Sequence, residues 1–301
     1  MMTPAMEVKR VRAGVLEIGY LEAGPSDGPV VILLHGFPYD AQGYGDVMAG
    51  LAAKGMRAIA PFLRGYGPTR FLSADTMRSG QQAALGVDVI AFMDALLIER
   101  ATLAGFDWGG RAACIVAALW PERMAGLVSC GVGYNIQDIA NANLPARAEE
   151  EARYWYIYLF HTARGRASLS HDPHGFCRYI WARWSPSWDF DEATYDRSAV
   201  SFENPDFVDI VIHSYRHRFG GVPGDPALAE VEERLAQQPR ITVPTVVLQG
   251  EDDEVDPPPA TDEVQAFFTG GYERRVLAKT GHAPPQENPD AFVDAVLTVS
   301  L

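Results

Sequence analysis

Gly105-Phe106-Asp107-Trp108-Gly109-Gly110 is the stretch on which the reading of this chain turns. Just ahead of it, Ala101-Thr102-Leu103-Ala104 is a short apolar run suited to a buried strand. Just behind it, residues 111–120 favour a helix that Pro121 ends. Strand, glycine-pinched turn and helix are the setting of a nucleophile elbow, which presents one side chain on a strained turn. Glycines are needed beside it because a Cβ would clash. Such elbows commonly centre on Ser, but here the central residue is Asp107.

Outward from the elbow, strands alternate with helices. Residues 1–28 predict an N-terminal strand pair, with alternation over 15–21 and a turn at 24–28, and Val30-Val31-Ile32-Leu33-Leu34 reads as a strand covered on both faces. The latter runs into His35-Gly36-Phe37-Pro38, a loop placed where open α/β sheets bind ligands. Helices are expected at 41–54 and 82–100, and strands at 56–60 and 124–130. This pattern predicts an α/β protein with a mostly parallel, doubly wound sheet. After about residue 135 the chain becomes aromatic and helical, as in Tyr154-Trp155-Tyr156-Ile157-Tyr158-Leu159-Phe160. Strand-like segments return at 245–250 and 275–278, with a last helix at 289–297. The expected organisation is a core of residues 1–134 and 239–301, interrupted by a helical cap of residues 135–238.

Composition narrows the function classes. The 301 residues are enough for a sizeable core, and 48% apolar with 21% charged residues is ordinary for a soluble globular chain. A formal charge of −14 disfavours nucleic acid and anionic membrane surfaces as partners. Cys114, Cys130 and Cys177 are too unevenly spaced for a disulfide framework or zinc site, so neither metal nor cofactor is expected. Neither a signal peptide nor a membrane span is apparent, which makes the cytoplasm the expected compartment. A homodimer is compatible with the sequence.

Two more loops complete a constellation around Asp107. The strand ending at Gly250 leads into Glu251-Asp252-Asp253-Glu254-Val255-Asp256-Pro257, and the one ending near Lys279 leads into Thr280-Gly281-His282. Nucleophile, acid and histidine in that chain order is the order of the hydrolase elbow fold. Each follows a strand, so Asp107, Asp253 and His282 are expected at one sheet edge. A carboxylate is ionised near neutral pH without a base and can attack saturated carbon to form an ester. His282, oriented by Asp253, can then activate water against that ester. The backbone N–H groups of Phe37 and Trp108 are placed to hold the oxyanion.

These motifs, with Arg64-Gly65-Tyr66-Gly67, make the chain resemble the α/β-hydrolases of the epoxide hydrolase and haloalkane or haloacetate dehalogenase group. The resemblance implies the α/β-hydrolase fold and an Asp107 ester. It also implies two cap tyrosines that protonate an opening epoxide. Tyr156 matches the first, with Tyr154 and Tyr158 as rivals, and Tyr215 of Tyr215-Arg216 matches the second. A tyrosine with a pKa near 10 stays protonated yet can stabilise an alkoxide.

The expected reaction is opening of an epoxide to a vicinal diol, the partner being a small, largely apolar substrate. The first alternative is release of halide from a halogenated substrate through the same ester. Trp108 could hold a halide, and Arg111 matches the second carboxylate-binding arginine of haloacetate dehalogenases. A structural Arg111 is the other reading. His35, Pro38, Trp155 and Phe160 are expected to join Trp108 and Arg111 along the substrate. A non-catalytic receptor is the second alternative, although binding alone has no use for a His-Asp pair behind a nucleophile.

Overall fold

The computed structural model describes residues 6–300. Nine strands build one sheet: β1 Lys9–Ala13, β2 Leu16–Ala23, β3 Val30–Leu34, β4 Arg57–Pro61, β5 Arg70–Phe71, β6 Ala101–Gly105, β7 Met124–Cys130, β8 Thr245–Gly250 and β9 Tyr272–Leu277. Their order is β1-β2-β4-β3-β6-β7-β8-β9, with β5 paired to β2. The pairs β1–β2, β2–β4 and β2–β5 are antiparallel, and every pairing from β4 to β9 is parallel. This is the α/β-hydrolase fold, with its mostly parallel central sheet.

Burial explains the apolar runs. Every residue of β6 and β8 is buried, because helices cover the central strands on both faces. Gly45–Ala53 packs with Pro289–Val299, and Gln82–Ala95 packs with Trp108–Leu119. The crossover from β3 to β4 runs one way along the sheet and that from β6 to β7 the other. Right-handed crossovers therefore put their helices on opposite faces. The order reverses between β3 and β6, where Leu34 is in register with Gly105. Loops diverge at such a switch point and leave a crevice for a ligand.

Between β7 and β8 the described chain carries helices and no strand. Chief among them are Trp155–Phe160, Pro173–Trp184 and Phe207–Arg218. The helix expected over 82–100 stops at Ala95. Leu97 takes φ +57° and stands 90% exposed, which lets Ile98 turn back into the core. Helical spacing could not register this reversal, since Leu97 sits on the apolar phase of the pattern. The other expected elements are present with ends moved by a few residues.

Candidate active site

The elbow has the strain that its sequence implies. Asp107 adopts φ 49°, ψ −122°, an unfavourable conformation for a residue with a side chain. A Cβ on Gly109 would lie 1.8 Å from the Leu34 carbonyl oxygen, and one on Gly36 would lie 2.4 Å from Asp107 Cβ. The backbones of three segments thus meet where only hydrogen fits.

One oxygen of the Asp107 carboxylate, Oδ1, accepts a hydrogen bond from Phe37 N–H at 2.7 Å. Trp108 opens the following helix, so its own N–H has no intrahelical carbonyl to meet. The other oxygen, Oδ2, lies 3.9 Å from His282 Nε2, longer than a hydrogen bond and close enough for strong attraction between charges. His282 Nδ1 meets Asp253 Oδ2 at 2.9 Å, and Asp253 Oδ1 accepts from the N–H groups of Val255 and Asp256, both at 2.9 Å. The three residues predicted from separate loops therefore converge.

Charge state follows from this geometry. Burial works to raise the Asp107 pKa, but His282, the Arg111 charge and Phe37 N–H outweigh it and hold it below the ordinary carboxylate value. Burial likewise opposes a charged His282. The Asp253 charge and Asp107 nonetheless keep its pKa well above that of a free imidazole. The resting pair is carboxylate and imidazolium.

Aromatic rings close the inner end. Tyr215 packs 5.4 Å from Phe37 and 5.8 Å from Trp108 between ring centroids, and Tyr156 meets Tyr215 edge-on at 5.3 Å. Burial, and for Tyr215 also the Asp107 charge, pushes both phenols well above their ordinary pKa, so they stay protonated. Neither the Tyr215 hydroxyl nor the Trp108 indole N–H, both buried, has a hydrogen-bond partner among the described residues. Of the rivals for the first tyrosine, Tyr158 lines the cavity but is 43% exposed and donates to Glu151, another lining residue. Tyr154 lines the cavity further out, beside Asp256.

That cavity has a volume of about 320 Å³ and reaches Asp107, Arg111, Tyr154, Tyr156 and Arg218. Of the six residues expected along the substrate only Arg111 lines it; His35, Pro38, Trp108, Trp155 and Phe160 do not, and Phe37, Tyr215 and His282 also lie behind its wall. His35 is fully buried, with Nε2 accepting from Leu63 N–H at 3.0 Å and Nδ1 3.1 Å from the Gly36 carbonyl. Burial lowers its pKa to about 4, so it is a neutral brace for the loop. The Pro38 carbonyl is taken by Trp181 Nε1 at 2.7 Å. Trp155 packs outward against Phe176 and Tyr179, and Phe160 lies behind Phe37 and Tyr215. These rings fill the aromatic interior, a role that sequence position could not separate from substrate contact.

Several neighbours of the site were not anticipated. Asp256 and Arg218 line the cavity, and Ser185 Oγ accepts from His282 N–H at 2.9 Å while donating to Glu287 at 2.7 Å. Arg218 had a detectable signal, since it falls three residues after Tyr215 on a helix, hence on the same face. Ser185 had none. Among the described residues no group of three or more acidic, His or Cys side chains is placed to hold a metal. No helix there is long and apolar enough to cross a membrane.

Residues 29–289 match the family model for the alpha/beta hydrolase fold. The chain belongs to this family. A crystal structure of a candidate epoxide hydrolase from Klebsiella pneumoniae superposes on it with a TM-score of 0.95 at 48% identity, covering 98% of this chain and 97% of that one. Epoxide hydrolase A of Mycobacterium tuberculosis is 24% identical over 310 residues, 92% of each chain. Epoxide hydrolase 3 of Siraitia grosvenorii is 38% identical over 114 residues, 37% of this chain and 35% of that protein. The match to this last relative spans about a third of its length. Within the α/β-hydrolase family these relatives uphold the resemblance to the epoxide hydrolase group.

Proposed function

We propose that this α/β-hydrolase opens an epoxide to a vicinal diol through an ester on Asp107. The observation that carries the reading is the Tyr156–Tyr215 pair, with the Tyr215 hydroxyl buried and unpartnered and its ring packed on Phe37 and Trp108, the residue after Asp107. Likeness to proteins named as epoxide hydrolases supports it. Oδ2 attacks a ring carbon, the C–O bond breaks, and the leaving oxygen takes the proton of a cap tyrosine. Oδ1 becomes the ester carbonyl, already aimed at Phe37 N–H. With the Asp107 charge gone, the His282 imidazolium gives its proton to the tyrosinate through solvent. The neutral imidazole then takes a proton from water, whose oxygen attacks Cγ, and the tetrahedral oxyanion rests on the Phe37 and Trp108 N–H groups. Collapse releases the diol, whose leaving oxygen takes the second proton of the water, and restores the Asp107 carboxylate beside the His282 imidazolium. Residues 135–238 act as the cap that brings both tyrosines over the sheet edge.

The Trp108 indole N–H favours a second reading, in which it cradles a departing halide from the same ester. A paired turnover assay separates the two. Diol from styrene oxide without halide from bromoalkanes or haloacetates is expected, lost by about a hundredfold or more in Tyr215→Phe. Halide without diol would overturn the epoxide reading.

A further inference from the structure

The wall of the cavity carries two guanidinium groups that no carboxylate neutralises. Arg111 is only 7% exposed, and its Nε donates to the Asn135 carbonyl at 3.3 Å. Arg218 lies with Cζ 5.2 Å from the centroid of the Tyr215 ring. The Gln137 amide, its oxygen turned toward Arg218, accepts from Nε and, at 3.2 Å, from Nη2. Elsewhere buried or half-buried arginines meet acids directly, Arg64 with Asp88 at 2.6 Å and Arg78 with Asp206 at 2.9 Å. Among the described residues neither cavity arginine has such a pair. Burying cations unpaired costs free energy, and burying two together costs more. Burial first, and the Arg218 charge second, bring the Arg111 pKa down to about 10.

Four acids line the same space and none is bridged to either arginine: Asp138 accepts from Asn141, and Glu151 accepts from Ala146 N–H and the Tyr158 hydroxyl. Asp107 is held by Phe37 N–H and His282, and its charge is consumed when the ester forms. Burial, then the Asp253 charge, raises the Asp256 pKa to about 6, and its carboxyl pairs with neither arginine. The arginines have matched positions. Arg111 lies in the first turn of the helix that Asp107 precedes, and Arg218 follows Tyr215 by three residues on another helix, hence on the same face. Val132, Ile136, Ile157 and Val255 supply apolar wall between.

We infer that Arg111 and Arg218 together hold a carboxylate of the substrate in the cavity that Asp107 also lines. The planar fork of a guanidinium matches a carboxylate, so the pair selects an anionic ligand and fixes which ring carbon meets Oδ2. Resting on the epoxide reading, this makes the substrate class an epoxy acid with an apolar body.

The test uses the wild-type chain and unreactive probes, 3-phenylpropanoate and its neutral amide, titrated by calorimetry. The acid is expected to bind about tenfold or more tightly than the amide. Arg111→Gln and Arg218→Gln each abolish most of that preference, and wild-type circular dichroism with a cooperative urea transition shows that the variants are folded. Equal binding of acid and amide by the wild type overturns the inference, as does a preference that survives in both variants. Diol formation from trans-3-phenylglycidate is followed in parallel. Acid-selective binding without diol overturns the epoxide reading and leaves the anion site standing, whereas diol without acid selectivity does the reverse.

Discussion

Replacing Asp107 by Asn tests whether ester formation is what turns His282 into a base. In the free protein the imidazole lies between two carboxylates, 2.9 Å from Asp253 and 3.9 Å from Asp107. Despite burial, these acids hold its pKa well above the ordinary value, and an imidazolium cannot take a proton from water. Unit charges 3.9 Å apart attract by about 4 kcal/mol at an effective dielectric near 20. Alkylation of Asp107 removes its charge and with it that attraction, leaving an imidazole whose proton is far easier to lose. Asn removes the charge while conserving volume. The His282 titration should therefore move to lower pH in Asp107→Asn, followed by imidazole 15N resonances, with His282→Gln to assign them and intact mass to confirm that Asn is retained. The sign for stability follows. A folded pKa above the unfolded one stabilises at acid and neutral pH, and that stability is lost as the pH rises through the folded value. In the variant the loss should begin at lower pH. An unmoved titration would refute the reasoning, because Asp253 alone would then set the charge on His282.

Three further outcomes are expected. His282→Gln should complete one ester-forming half-reaction and stop, seen as substrate mass added to the peptide containing Asp107, with turnover reduced by about 10²–10⁴; unmodified protein after incubation with a turned-over epoxide would contradict the ester. Gly109→Ala puts a Cβ 1.8 Å from the Leu34 oxygen and should cost more than about 4 kcal/mol, so a wild-type urea midpoint would show that the elbow can relax. Asp40 is buried, and burial raises its pKa to about 6 from 3.8. Its stabilising share is whole below about pH 4 and lost as the pH rises through about 6, at most about 3 kcal/mol. Asp40→Asn should flatten that slope, and urea midpoints that fall in parallel across this range would refute it.

Legibility in the sequence followed the range of the forces involved. The alternation of buried runs and helices, and the glycines of the elbow, are local constraints, and they predicted the sheet and Asp107. Asp253 and His282 were legible because each sits in a loop just after a buried strand, where the fold dictates position. Which aromatic rings face the cavity was not legible. Tyr154, Tyr156 and Tyr158 lie within one short stretch, and only the packing of Tyr215 against Phe37 and Trp108 distinguishes Tyr156. The misplacement of His35 has the same origin. A histidine at a strand end reads as functional, yet its two ring nitrogens are engaged by the backbone of Leu63 and Gly36.

The helical insert also reaches into the catalytic loops themselves. Trp181 donates to the Pro38 carbonyl, one residue beyond Phe37, whose N–H meets Asp107. Ser198 and Ser201 both donate at 2.7 Å to Asp40, two residues further along the same loop. At the opposite side Ser185 receives the His282 N–H, and the Trp184 carbonyl accepts from Glu254 N–H, next to Asp253. Insert residues 181–201 are therefore hydrogen-bonded to the loops that bear Phe37, Asp253 and His282, while Tyr156 of the same insert lines the cavity with Asp107 and Tyr215 packs on Phe37 and Trp108. A displacement of the insert large enough to open the inner end would break bonds to both Pro38 and His282. Entry through the existing cavity beside Tyr154 and Arg218 demands no such rupture, which makes the wall carrying the two arginines the surface that a substrate meets on its way to Asp107.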